Sequence, residues 1–241
     1  MGKYIHYFDN ANAFWNDDIS FSLEDDKPFV GLVGTNRVVY SPSLYIDNAG
    51  YSYVDLGLPS GTLWATDDLS GFYYWGESTD ATDKHVYTYG TSGNMIKYNN
   101  SDYLFTLQLE DDTAHNIWGG NWIVPTHYDW QELFDYTTKT TTNNGRKFTF
   151  TSTVNGNSIE ISWVGHWWIN SWNGLASYEY RMTSDRPDNG TDINMYVVKL
   201  DSSTSAIATY SRREYGLPIR PVIHQDRKWY NRPPIPADVM K

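Results

Sequence analysis

The stretch Lys147-Phe148-Thr149-Phe150-Thr151-Ser152-Thr153-Val154-Asn155-Gly156-Asn157-Ser158-Ile159-Glu160-Ile161-Ser162-Trp163-Val164 reads as two strands and the turn between them. Phe148 and Phe150 alternate with threonine, and Ile159, Ile161 and Trp163 resume the alternation after the break. A period of two puts every second side chain on one face, so the segment predicts a hairpin with one apolar face. Asn155-Gly156 supplies the residues that a tight primed turn wants, because both central positions of such a turn take positive φ.

Outward from this hairpin the texture is similar. From Tyr51 onward, short β-like runs are punctuated by Gly, Pro, Asn and Asp, the pattern of a loop-rich mixed fold. Further strands are expected at 178–183, 195–200, 206–210 and 217–222. One helix interrupts them: Pro125-Thr126 opens it, Thr126 and Asp129 stand at capping-box spacing, and Trp130, Leu133 and Phe134 form an i, i+3, i+4 stripe. A shorter helical turn is expected over 111–118, where Gly119-Gly120 would stop it.

The two ends differ from this middle. Acidic patches at Asp17, Asp18 and 24–26 separate short apolar runs at 29–33 and 38–40, which predicts an N-terminal arm over 1–50 with one or two strands. Such an arm either folds onto the main domain or docks elsewhere, since termini are ordered only when tied down. The main domain then covers 51–223. Residues 224–241 carry His224, Arg227, Lys228, Arg232 and the prolines Pro233, Pro234 and Pro236. Proline favours an extended, polyproline-like tail, either disordered or strapped onto a neighbour.

Charge and composition narrow the function. A chain of 241 residues with a formal net charge of -11 opposes polyanionic partners, which are bound by neutralising phosphates, so nucleic acid is not expected. No apolar run approaches the roughly 20 residues of a membrane-spanning helix, and the first ten residues lack the apolar stretch of an export signal. Synthesis in a host cytoplasm, with the virion as destination, is expected. The absence of cysteine removes disulfides, thiolate metal sites and cysteine nucleophiles together.

Searches for chemistry give little. No G-x-S-x-G nucleophile elbow, no phosphate-wrapping glycine loop and no histidine pair at i, i+4 spacing occurs. Asp185, Asn189 and Gly190 match part of a calcium loop, but Pro187 takes a ligand position and Tyr196 stands where the bidentate Glu belongs. The run Glu110-Asp111-Asp112 reads as the acidic start of a helix rather than a cation site. No catalytic residue, metal or cofactor is expected.

Several strings, taken in order, carry a resemblance. They are Val54-Asp55-Leu56-Gly57-Leu58-Pro59-Ser60-Gly61-Thr62-Leu63-Trp64-Ala65-Thr66, Tyr74-Trp75-Gly76-Glu77, and Trp118-Gly119-Gly120-Asn121-Trp122. The helix opening Pro125-Thr126, the turn Asn155-Gly156-Asn157-Ser158-Ile159 and the closing Gly216-Leu217-Pro218-Ile219-Arg220-Pro221-Val222 complete the series. Together they resemble the Fibrobacter succinogenes major paralogous domain, similar to the formylglycine-generating-enzyme branch of the C-type lectin-like fold, over 51–222. The arm is similar, more loosely, to leader segments of virion proteins from phages of gut Bacteroidota.

The resemblance implies an α+β, C-type lectin-like domain with small antiparallel sheets, one or two short helices and long loops. The glycines and indoles of 118–122 would be scaffold. The enzymatic cousins depend on cysteine, so their activity does not carry over, and a binding or display role remains. Family members undergo diversification before the closing strand. That would make Tyr178, Tyr180, Arg181, Asp185, Arg186, Asn189, Asn194, Tyr196, Arg212 and Arg213 the surface contacts, a chemistry typical of adaptable interfaces.

The chain departs from the family at 163–172, where Trp163, Trp167, Trp168 and Trp172 stand within ten residues. An extended segment alternates faces, so these indoles cannot all enter one core. Either a loop folds back and buries them, or Trp167, Trp168 and Trp172 form a platform for a sugar ring or an oligomer contact. The expectation is a virion protein, in head or tail, such as a capsid decoration or tail-fibre part. It would dock to other virion proteins through arm and tail, form a homo-oligomer, and present a lectin-like domain to host-surface glycan or protein. The rivals are a purely structural decoration or connector, a bacterial adhesin, and an enzyme of unrecognised type.

Overall fold

The computed structural model describes residues 29–33, 36–40, 45–46, 50–142, 144–168, 171–173, 178–188, 192–202 and 205–224. Two units divide at Ser43/Leu44. In the first, β1 (Phe29–Val33) pairs antiparallel with β2 (Asn36–Tyr40), Phe29 opposite Tyr40. The strands fall on the two apolar runs of the arm. Of the rest of 1–50 only 45–46 and 50 are described, and 45–46 belong to the second unit; the tail over 225–241 lies outside the described residues.

The second unit is mostly β, with small antiparallel sheets and few helices. Its strands begin with β3 (Tyr45–Ile46), β4 (Ser52–Asp55), β5 (Thr62–Ala65), β6 (Gly90–Thr91) and β7 (Asn94–Met95). Then come α1 (Thr113–Trp118), α2 (His127–Asp135), β8 (Thr137–Thr142), β9 (Lys147–Ser152) and β10 (Ser158–Ser162). Last are β11 (His166–Trp168), β12 (Ser171–Asn173), β13 (Glu179–Met182), β14 (Asn194–Leu200), β15 (Ser205–Arg212) and β16 (Val222–His224). They pair in the orders β16-β5-β4-β3, β10-β9-β8 and β13-β14-β15, with β6-β7 and β11-β12 as separate hairpins.

The sheet β13-β14-β15 separates two cores, and strand alternation is the reason. Val198 and Leu200 of β14 point into one core with Trp64, Trp130, Leu133, Phe148, Phe150, Ile159 and Ile161. Met195 and Val197, of opposite parity, enter the other with Tyr74, Trp75, Tyr98, Met182, Leu217 and Ile219. Four indoles, Trp64, Trp75, Trp122 and Trp130, are wholly buried. Trp64 and Trp130 meet edge to face at 4.7 Å, and Trp75 donates its indole N–H to the Thr183 carbonyl at 2.9 Å.

The predicted hairpin forms as β9-β10, with Phe148 opposite Ile161 and Phe150 opposite Ile159, all four buried. Its turn differs from the expected one. Gly156 takes φ +80°, but Asn155 does not join it in the left-handed region, so no primed two-residue turn forms. The loop is longer because other partners claim its polar groups. Ser152 Oγ accepts from the amides of Val154 and Asn155 at 3.0 and 3.3 Å, and the Asn155 and Asn157 side chains donate to the Asp55 carbonyl at 3.0 and 2.7 Å.

The helix α2 has the full capping box between Thr126 and Asp129. Asp112 is the N-cap of α1, accepting from His115 N at 3.0 Å, and a 3-10 turn at Leu109–Asp111 precedes it. Trp122 is buried and Trp118 stacks on Tyr51 at 4.1 Å, so both are framework. Two elements depart from expectation. β8, a threonine-rich strand, is absent from the sequence reading, and 217–222 is not one strand. Leu217 makes only a bridge to Tyr73, and Pro218 and Pro221 cannot donate to a ladder, so pairing resumes at β16. His224, read as tail, closes β16 and donates from Nε2 to the Asp129 carboxylate at 2.9 Å.

An aromatic rim as the candidate functional site

The rim begins with the backbone that holds it. Tyr215 N donates to the Arg212 carbonyl at 3.0 Å, closing a turn where β15 ends. Gly216 then exchanges both hydrogen bonds with Trp167, at 2.8 and 2.9 Å, which ties the base of β11 to that turn. Glycine is required there by space: a Cβ would lie 2.5 Å from Ala81 Cβ and 3.0 Å from Trp167 Cβ. Trp167 pairs across the hairpin with Trp172, and Trp168 with Ser171.

The four indoles of 163–172 part company here. Trp163 is half-buried and stacks on Phe148, and Trp167 packs partly buried against the core of Trp75 and Leu217. Trp168 and Trp172 stay 49% and 55% exposed. Trp168 leans on Tyr215 at 5.3 Å between ring centroids. On β13, Tyr180 lies 4.7 Å from Tyr178 and 5.5 Å from His166, and Tyr180 and Tyr215 both pack half-buried on the core edge. The rim is thus the margin of one core reaching solvent as a row of rings.

A cation borders the row. Lys199, opposite Tyr180 in register, holds its ammonium 4.5 Å over the Tyr178 ring. Arg212, 44% exposed, pairs with Glu214 at 2.6 Å. Burial and the Tyr178 hydroxyl push the Tyr180 phenol up to about 12. Burial also raises Tyr215, against the nearby Arg212 and with Glu214, and lowers His166, leaving that imidazole neutral near pH 7.

Of the residues expected as surface contacts, Tyr178 and Tyr180 lie on this rim, while Arg212 is exposed opposite Asn194, on the other face of the sheet. Four others are corrected: Arg181, Asp185, Arg186 and Arg213 are buried. Arg181 joins a closed charge cluster, with Asp68 at 2.6 Å and Glu179 at 3.2 Å, while Arg220 reaches Asp68 at 2.7 Å. Arg181 also donates to the Ser162 carbonyl, and Arg220 to those of Ala65 and Glu160. These guanidiniums donate to backbone carbonyls within the fold, which ties them to the interior.

Arg213 lies 4.7 Å over the Trp75 ring and donates to the Tyr98 carbonyl at 2.7 Å. Arg186 donates to the carbonyls of Leu104 and Asn99 and covers Phe105. Asp185 accepts from His127, whose ring stacks on Tyr196 at 4.2 Å, and Asn194 is half-buried opposite Arg212. Asn189 lies outside the described residues. Sequence reading missed Lys199, Tyr215 and Glu214. Lys199 shares the parity of the buried Met195 and Val197, so alternation gave no sign of it.

A cavity bounded by Thr106, Asp112, Val124, Thr126, Ser184 and His224 has about 30 Å³, room for a water and far below the roughly 300 Å³ of small-molecule pockets. Burial raises Asp112 beside it to about 6, against hydrogen bonds from the backbone of His115 and Val124. Burial would also raise Asp129, but the hydrogen bond and charge of His224 with the Thr126 donors hold it down at about 2. Among the described residues no group of three or more His, Asp or Glu converges to hold a metal ion. No helix there is long and apolar enough to cross a membrane. The chain matches no family model, no curated protein and no solved structure.

Proposed function

We propose that this chain is a non-enzymatic binding and display protein. Its main domain, C-type lectin-like in architecture, meets host-surface glycan or protein through the aromatic rim, and its arm and tail attach it to a virion. The carrying observation is the contrast among indoles: four are wholly buried, yet Trp168 and Trp172 stand about half exposed on one short hairpin. Exposed indoles on a braced hairpin present flat apolar faces with polar edges, the chemistry by which a sugar ring or a protein surface is held.

The attachment to a virion rests on the likeness of the arm to virion leader segments, and the display role on the ordered family strings of 51–222. A glycan array probed with the full chain and with Trp168→Ala/Trp172→Ala tests the rim. Binding by the parent that the double variant loses supports the reading. Absence of binding, together with a changed sedimentation coefficient in the variant, would assign the rim to contact between copies.

A further inference from the structure

We infer that the aromatic rim is a docking surface for a polyproline-type segment, and that the chain supplies one: Arg232-Pro233-Pro234-Ile235-Pro236 of its own tail, laid over Tyr178, Tyr180, Tyr215 and Trp168. The docking goes beyond the reading above and holds whichever outside ligand the rim takes. Tyr180 pairs with Lys199 and Met182 with Val197, so the rim grows from the sheet face that covers the core of Met182, Met195 and Val197. Tyr178 lies against Tyr180 at 4.7 Å, and Trp168 against Tyr215 at 5.3 Å. These two ring pairs present flat faces edged with donors: an indole N–H, phenol hydroxyls and the Lys199 ammonium over Tyr178.

A proline has no N–H, so a proline-rich strand offers ring faces and carbonyl acceptors and little that needs an acceptor in return. It is also ordered before it binds, which is why aromatic-lined grooves take such segments. Three residues make one turn of that helix, which puts Pro233 and Pro236 on one edge about 9 Å apart, one proline for each ring pair. Length and charge select the tail as occupant. Strand β16 ends at His224, from which Tyr215 lies nine residues back and Pro233 nine residues on. The path back is bent through Pro218 and Pro221 and bridged at Leu217 and Val222. Its ends are therefore closer than the roughly 30 Å that nine extended residues span, and the tail can reach the rim. Residues 225–241 carry Arg227, Lys228, Arg232 and Lys241 against Asp226 and Asp238, a cationic segment on a chain of net charge -11. A virion partner that draws off the tail would open the rim to outside ligand; that consequence rests on the attachment reading, and the docking does not.

Side-chain oxidation footprinting of the full chain tests the cover residue by residue. Trp168 and Tyr215 should label several-fold faster in Pro233→Ala/Pro236→Ala than in the parent, while the buried Trp64 stays unlabelled in both and reports an intact fold. A synthetic peptide of residues 229–238, titrated by calorimetry, should bind the double variant roughly tenfold tighter than the parent, whose own tail competes at about millimolar effective concentration. Equal labelling of parent and variant, or no binding of the peptide to the variant, overturns the docking. Protection of the parent that disappears on dilution overturns the assignment within one chain and gives the segment to a second copy. Glycan binding on the array stands or falls apart from all of these outcomes.

Discussion

Two hairpins follow each other along this chain, and they use the same alternation to opposite ends. In β9-β10, Phe148, Phe150, Ile159 and Ile161 all turn to one face and are buried. In β11-β12, Trp167 packs inward while Trp168 and Trp172 remain exposed. The difference is cover. The first hairpin lies against α2 and β14, whose Trp130, Leu133, Val198 and Leu200 share its core. The second is tied at its base by Trp167 and Gly216, and its Trp168 and Trp172 stay about half exposed.

Apolar residues at alternating positions therefore specify a face, and the rest of the fold decides whether that face is interior. The largest expected effect comes from breaking the covered hairpin. Phe150→Ala should lower the unfolding free energy by about 3–5 kcal/mol, the usual result of emptying an aromatic core position, read by denaturant unfolding. A loss as small as that of a surface substitution would mean that the two hairpins do not differ as described.

The junction between the hairpins is held by a carboxylate. Glu179, fully buried, accepts from Val164 N at 3.3 Å and Gly165 N at 2.9 Å, and burial raises it to about 7 against the pull of Arg181. A carboxyl whose folded pKa is raised binds its proton more tightly folded than unfolded. Its contribution thus favours the fold at low pH and declines as pH rises from about 4.5 to about 7, then stays constant. Glu179→Gln should remove about 3 kcal/mol of that decline, seen as a flatter Tm profile across this window. Asp112 has the same sign and should leave a smaller slope below about pH 6.

The base of the exposed hairpin gives the next effect. Gly216→Ala drives a methyl into Ala81 and Trp167 and should destabilise by about 1–3 kcal/mol, with a loss of near-ultraviolet dichroism from the indoles. The smallest stability effect belongs to the rim. Trp168→Ala/Trp172→Ala should change unfolding free energy by no more than about 1 kcal/mol while abolishing ligand binding. A large destabilisation would instead make these indoles part of the core.

Much of the fold was legible because its signals are local. The capping box of Thr126 and Asp129 and the alternation of 147–163 each act within a few residues, and both elements form at their expected place. The turn at 155–156 was misread because its side chains answer to Asp55, a hundred residues away. β8 escaped because five threonines and a lysine carry no hydrophobic alternation, and pairing with β9 is what makes them a strand.

The candidate site divides the same way. Tyr, Arg and Asn near the C-terminal end suggested contacts, but residue type does not distinguish an exposed arginine from one that caps strand carbonyls. Arg212 and Arg213 are neighbours in sequence, and one is half exposed while the other lies wholly buried over Trp75.

By itself the sequence determined an antiparallel, cysteine-free, mostly β framework, because alternation, caps and turn residues act over a few positions and need no distant partner. Tertiary structure alone decided which face of each strand was covered, which arginines went inside, and that Trp168, Tyr215, Tyr180, Tyr178 and Lys199 form one row. The reason is physical: burial is a property of what packs against a residue, and these neighbours come from segments up to about fifty residues apart in the chain.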